Sequence, residues 1–312
     1  MAPKFIAPRL SIPSSSKGFS LIEMMIALTI TMIVVAAAWS LTMHVRNLYL
    51  MDQARTTLNQ NLRGGMEVMA ADIRQAGERL PTDPLNPNNI LPLTIINGTS
   101  GASDEVIMRR NILDAVLPVC MDIHGGSNQD NVKIADSGPH PAPGCSPVPD
   151  LNGDGWPDNL EEWRNYRLNN GGSVRIYVYD PVTGDGEFVT YDAEDGSQFK
   201  IHKTHGAWQH DYPDNHNPRV YMLEERRYFR NGNRLRLQLN GSVNYDVTTD
   251  VTDFQAQALM NDGSVLNSVS TGVNWLDVEA IRITLDGQTT VGKESYSGSL
   301  SMQLFPRNIL SN

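Results

Sequence analysis

The sequence predicts an α+β protein: one long N-terminal helix, membrane-spanning in its first half, packed on a head of antiparallel β-sheet. Three observations carry that prediction. Residues 17–41, KGFSLIEMMIALTITMIVVAAAWSL, form an apolar run in which Glu23 is the only charge after Lys17. No charged residue occurs from Met24 to Met43, and about 20 apolar residues are what a helix needs to cross a bilayer core. Further on, Met51, Ala54, Leu58, Leu62, Met66, Met69, Ile73 and Ala76 recur in steps of three and four, one stripe of an amphipathic helix. After Pro84 the texture changes to short alternating segments separated by Gly, Asn, Asp and Pro, as in strands joined by turns.

The leader, residues 1–18, carries Lys4, Arg9 and Lys17 and no acid. By the positive-inside tendency it keeps the N-terminus in the cytoplasm and puts the head outside the cytoplasmic membrane, with Arg46 and Arg55 opposing weakly. An ordinary secretory signal fits badly, because Gly18 precedes the apolar run and no signal-like site of small residues follows it. The helix is expected over residues 19–77, with about 21–43 in the membrane. Gly64-Gly65 would bend or loosen it. Gly77, followed by Pro81 and Pro84, is its candidate stop. Asn59, Gln60, Arg63, Glu67, Asp72 and Arg74 fall on the faces away from the stripe.

In the head (78–312), strands are expected at 91–96, 105–110, 174–179, 187–191, 220–230, 234–239, 251–258, 278–285 and 299–305. Alternation is clear in Val174, Ile176 and Val178, and again in Leu235, Leu237 and Leu239. Asn231-Gly232 is a hairpin signal, since this pair tolerates positive φ. Asp180–Gly186 is a second turn, and Asp180, Asp185 and Glu187 read better as part of it than as an ion site. Two stretches rich in Gly, Pro, Asn and Asp, about 111–172 and 192–218, read as insertions into this frame.

Of 312 residues, removing 18 leaves 294, and beyond the helix enough chain remains for one head with its own core. The formal charge of −10 becomes −13 when the three leader cations are lost. So acidic a chain is a poor binder of nucleic acid, whose affinity rests on cationic contacts to phosphate. Cys120 and Cys145, the only cysteines, lie in a head predicted to face an oxidising compartment. A disulfide between them is expected, the alternative being two buried thiols; the segment between them looks poor in core-forming residues.

The most specific motif in the head is Asp150-Leu-Asn152-Gly-Asp154-Gly155-Trp156-Pro-Asp158-Asn-Leu-Glu161. It reads as a 12-residue calcium loop. Asp150, Asn152, Asp154, Asp158 and Glu161 would supply side-chain oxygens and Trp156 its carbonyl, with Gly155 at the sharp turn. Pro143, Pro147 and Pro149 forbid an entering helix, while an exiting helix over 160–168 is expected. Without an ion the same residues form an acidic turn. Ca2+ bound here would be structural. His202, His205, His210 and His216, with Asp211 and Asp214, invite a transition-metal reading, but their spacing matches no specific site and a solvated loop suits them better. Tyr177, Tyr179, Trp208 and Tyr212 could form an aromatic binding face or pack in the core. No Gly-rich phosphate loop, zinc-peptidase helix or nucleophile elbow occurs, and an enzyme is not expected.

Gly18-Phe19-Ser20-Leu21-Ile22-Glu23 resembles the processing site of type IV prepilins. That resemblance implies cleavage between Gly18 and Phe19 by a prepilin peptidase and N-methylation of Phe19. It also implies that Glu23 pairs with the N-terminal ammonium of a neighbouring subunit, which in a copy of this chain belongs to Phe19. The run from Arg227 to Leu237, then Val251–Gln257 and Val278–Leu285, is similar to the C-terminal half of the PilW group of minor pilins, and to type II secretion pseudopilins of the J type. It implies a pilin-like fold and a minor pilin at or near the tip of a type IV pilus, helping to start assembly. Its partners would be other minor and major pilins, the inner membrane before assembly, and possibly a large tip adhesin. A J-like pseudopilin and a pilin-anchored, calcium-dependent cell-adhesion module are the alternative functions.

Overall fold

The apolar run and the stripe after it form one helix, α1 (Leu21–Gln75), which Gly77 ends at a φ of 83°. The computed structural model describes residues 18–80, 90–138, 141, 144–270, 272–292, 294–305 and 307–309. The expectations placed on residues 1–17, Pro81, Pro84 and Pro143 lie outside the described residues. Two compact units are distinguished, divided between Gln53 and Ala54.

In the second unit α1 is followed by β1 (Leu93–Ile96), β2 (Glu105–Asn111), β3 (Leu117–Pro118) and β4 (Asn131–Lys133). Next come α2 (Asp158–Asn169), β5 (Val174–Tyr179), β6 (Gly186–Asp195), β7 (Lys200–Lys203) and β8 (Arg219–Tyr221). The chain continues with β9 (Leu223–Asn231), β10 (Arg234–Leu239), β11 (Val243–Thr249) and β12 (Val251–Met260). It closes with β13 (Val265–Leu266), β14 (Val278–Val291) and β15 (Glu294–Leu304). All the pairings between these strands are antiparallel.

Three sheets result, in the orders β1-β2-β9-β10-β11, β13-β12-β14-β15 and β3-β8-β5-β6-β7-β4. The first two share one core with the C-terminal part of α1. Leu58, Leu62, Met66, Met69 and Ile73 pack against Val106, Tyr228 and Leu235 of one sheet and Phe254, Ile281, Ile283 and Leu285 of the other. Each such side chain contributes about 1.5–3 kcal/mol by leaving water, so this face of the helix is a large part of what holds the two sheets together. The expected long helix on an antiparallel sheet is therefore present, although the helix serves two sheets.

Small residues set how closely they meet. A methyl group on Gly65 would lie 2.7 Å from Thr248 Cγ2 of β11. The Thr248 hydroxyl donates to the Asn61 carbonyl of the helix at 2.8 Å. Gly65 is thus a point of close approach within an unbroken helix, not a hinge. Asp72, off the apolar stripe, nevertheless faces the sheet. It is buried, accepting from the Tyr228 hydroxyl at 2.5 Å and from Arg226 Nη1 at 2.6 Å. Burial, then the Asp72 carboxylate beside it, pushes the Tyr228 hydroxyl far above the ordinary tyrosine range, so it stays a donor.

In place of two separate insertions, the chain from about Ile112 to Met222 builds one module. Its core holds Val119, Ile123, Val132, Trp163, Ile176, Tyr191, Trp208 and Tyr212. The expected strands 174–179 and 187–191 belong to this third sheet, and the expected strand 220–230 is two strands in different sheets, parted at Met222. The hairpin near Asn231 is present one residue later than expected. Asn231 pairs with Arg234, and Gly232, at a φ of 62°, leads the two-residue turn.

The close approach predicts opposite outcomes for two neighbouring glycines. In thermal melts of the full chain in micelles, Gly65→Ala should lose about 1–3 kcal/mol through overpacking against Thr248. Gly64→Ala meets nothing within 4 Å and should gain up to about 1 kcal/mol of helix propensity. A Gly65→Ala protein as stable as the parent would contradict this packing.

Candidate functional site

At the N-terminal end, Gly18, Phe19 and Ser20 precede the helix as exposed chain. The Glu23 carboxylate accepts from the Ser20 backbone N–H at 3.0 Å, which satisfies a free donor of the first turn. Every side chain from Leu21 to Tyr49 is exposed in the isolated chain, and the segment is long and apolar enough to cross a membrane. Its polar atoms are arranged for an apolar surrounding. The hydroxyls of Thr29, Thr31 and Thr42 donate to the carbonyls of Ile26, Ala27 and Ala38 at 2.8, 2.7 and 2.8 Å. From Leu21 to Met43 Glu23 is the one ionisable group, and a carboxylate is costly in hydrocarbon unless it gains a partner.

Cys120 and Cys145 form a disulfide, with Cα atoms 5.7 Å apart. Backbone bonds continue on both sides: Cys120 N donates to Lys133 O and Asp136 N to Cys145 O, each at 2.7 Å. The segment they enclose supplies Ile123, Val132 and Ile134 to the module core, so it is richer in core residues than its sequence suggested. Its apolar residues are scattered singly among turns, which hides them from a search for periodicity.

The 150–161 loop is wound around its first carboxylate. Asp150 accepts from the N–H groups of Gly153, Asp154 and Gly155 at 2.7, 3.2 and 2.7 Å. Asn152 accepts from Asp154 N, and Asp154 from Trp156 N, both at 2.9 Å. Gly153 and Gly155 take positive φ, 74° and 91°, where glycine is favoured. Helix α2 begins at Asp158 and carries Glu161 in its first turn, where acids suit the positive helix end. Asp158 accepts from Leu151 N at 3.1 Å, and Asn152 Nδ2 donates to Glu161 at 3.0 Å. The Trp156 ring lies against Gly196 and under the Arg164 guanidinium, 4.5 Å from its centroid, which ties the loop to the module.

Among the described residues no three His, Cys, Asp or Glu side chains converge on a point where they could hold a metal ion. The histidines each meet a different aspartate instead. His202 pairs with Asp192 at 2.6 Å, His205 with Asp130 at 2.5 Å, His216 with Asp180 at 2.7 Å, and His210 lies 3.7 Å from Asp185. The segment is not an open loop either, since Lys200–Lys203 is a strand. Trp208 and Tyr212 are buried, edge to face at 5.6 Å, and Tyr179 is buried too, so these rings are core and not a binding face. Asp180 does organise the β5–β6 turn, accepting from Val182 N at 2.8 Å.

Glu187 was legible only as a turn residue. It is buried and takes the N–H groups of Gln209 and His210 and the Tyr212 hydroxyl, at 2.9, 3.2 and 3.3 Å, which fastens the 205–212 crossing. Glu194 was not singled out at all; it receives Arg167 through two bonds of 2.8 Å and the Tyr191 hydroxyl at 2.5 Å. No local pattern marks either residue, because, Tyr191 on the same strand apart, their partners are 22–27 positions away.

Residues 13–39 match the family described as the prokaryotic N-terminal methylation motif. No curated protein and no solved structure matches the chain. The motif supports a type IV pilin-like protein, processed by prepilin peptidase and assembled with other pilins, and it fits the apolar N-terminal helix as an inner-membrane anchor.

Opening the disulfide should be felt in the module first. Replacing both cysteines by Ser is expected to destabilise it by about 3 kcal/mol, the loop entropy of 25 residues. Limited proteolysis of the double variant should cut within 112–222 while the α1 core stays intact; unchanged resistance there would show that the bond contributes little.

Proposed function

We propose that this chain is a minor pilin, a low-abundance structural subunit that primes assembly of a type IV pilus and sits at or near its tip. The observation that carries the reading is the combination of a prepilin-type N-terminus with a head that bears a whole extra module. A subunit repeated along a filament must accept neighbours on every side, and a second module with its own core obstructs that repetition. At an end the obstruction disappears. Before assembly the chain is held in the inner membrane by its single apolar span with the head in the periplasm, and afterwards it is part of the extracellular filament.

Glu23 then acts as a register device. In the separate subunit its carboxylate is satisfied by Ser20 N–H. In the filament it exchanges that bond for the ammonium of a neighbouring subunit's first residue, Phe19 in a copy of this chain. A charge in an apolar bundle is tolerated only when compensated, so only the register that brings the two together is stable.

We also propose that the 150–161 loop takes up calcium as a structural ion. In support, Asp150, Asn152 and Asp154 each accept backbone N–H groups within the winding, and Asp158 and Glu161 lie in the first turn of α2. These oxygens now accept the loop's own N–H groups. An ion would draw Asp154, Asp158 and Glu161 inward, together with the Trp156 carbonyl, and relieve their mutual repulsion.

Two experiments test these readings. Gly18→Val should leave the leader attached, seen by mass spectrometry of the membrane-bound precursor, and Glu23→Ala should be cleaved but scarce in purified pili. Undiminished incorporation of Glu23→Ala would sink its register role. For the loop, calcium at about a hundredfold excess over its Kd should add roughly 2.7 kcal/mol of stability, and Asp154→Ala with Glu161→Ala should abolish the response. A parent protein whose melting is indifferent to millimolar calcium has only an acidic turn there.

A further inference from the structure

Where the module meets the β10–β11 hairpin there is a cleft of about 640 Å³, within the size range of small-ligand sites. One wall is the C-terminal end of α2 with β5 and β6; the other is the start of β9 and the turn from Leu239 to Val243. Arg175 of β5 lines it. Its guanidinium carbon lies over the Phe188 ring, 3.5 Å from the centroid, and a side chain on Gly241 of the opposite turn would come within 3.2 Å of Nη1.

This arginine has no acid. Among the described residues it makes no hydrogen bond or ion pair, and Nη1 is shut off from water as well as from any acceptor. Its nearest carboxylates are committed elsewhere: Glu225 to Arg109 at 2.9 Å, and Glu224 to Arg226 at 2.6 Å and Arg110 at 2.9 Å. Burial lowers its pKa from the ordinary arginine value, with Glu225 acting in the opposite direction, yet a guanidinium stays charged in proteins. An unsatisfied buried donor is destabilising, the more so when charged. No other residue lining the cleft is a cation, and the one lining carboxylate, Glu224, is already paired, so Arg175 is the lining charge left to meet an acid.

With Nη1 enclosed and Phe188 against one face, Nε–H and Nη2–H remain as an in-plane pair, which suits the two oxygens of a carboxylate. The rest of the lining fits a body with many hydroxyls. Tyr166, Asn170, Thr190 and Asn240 offer a ring, amides and a hydroxyl, with Val243 at the rim. Glu224 on the same wall opposes ligands of high negative charge. We propose that this cleft binds a saccharide bearing a carboxylate, a uronic acid unit of an acidic glycan, with Arg175 as its anchor.

The test is titration calorimetry of the full chain in micelles with trigalacturonate, with a neutral galactose trisaccharide, and with a short peptide ending in a free carboxylate. Trigalacturonate should bind about ten- to hundredfold more tightly than the neutral sugar, the worth of charge-assisted hydrogen bonds. Arg175→Gln should erase that difference and leave the neutral sugar unaffected. Val243→Trp, which fills the rim from an exposed position, should weaken both sugars without lowering the melting temperature. Equal binding of the two sugars by the parent protein, no binding of trigalacturonate at millimolar concentration, or tighter binding of the peptide would each overturn the proposal.

Discussion

Two β-sheets with no strand paired between them need a common surface, and the face of α1 carrying Leu58, Leu62, Met66, Met69 and Ile73 is that surface. Everything else in the head is fitted to it. Gly287 of β14, where a methyl group would come within 3.0 Å of both Leu58 and Leu62, lets the second sheet approach as Gly65 lets the first. Polar groups drawn into this core are answered there. Asp72 meets Tyr228 and Arg226, and Asp104 accepts from Gly98 N and Ala256 N at 2.8 Å each, bridging the β1–β2 loop to β12. It follows that a head fragment starting near residue 78 would be missing the middle of its own core.

The module between β2 and β9 solves a different problem. It is long in loops, so it depends on point fastenings: the Cys120–Cys145 bond, Glu187 under the 205–212 crossing, and Glu194 between α2 and β6. Its return to the frame is abrupt, with Met222 alone separating a strand of one sheet from a strand of the next. A frame that handles assembly and an extra module with its own core is an arrangement in which recognition can change without disturbing the helix packing.

What could be read from the sequence follows from which signals are local. The α1 stripe, the alternation in 174–179 and 234–239, and the prepilin-type N-terminus are each written in consecutive residues, and each is found where it was expected. Strand partnership is not local. Nothing in 174–179 says that it pairs with 219–221 and not with 234–239, so the third sheet was invisible and its strands were placed in the wrong frame. Short strands such as 131–133 and 200–203 are below the length at which alternation can be recognised. The burial of Asp72 was not legible, because a carboxylate facing a sheet is permitted only by partners 154 and 156 positions away.

Native-state hydrogen exchange on the full chain in micelles tests the central role of α1 most directly. If its C-terminal part is the shared core of both sheets, the amides of residues 58–73 should exchange only by global opening, at the same rate as those of β12 and β14. Exchange of residues 58–73 at the rate of an uncovered helix, while β12 and β14 stay protected, would contradict it.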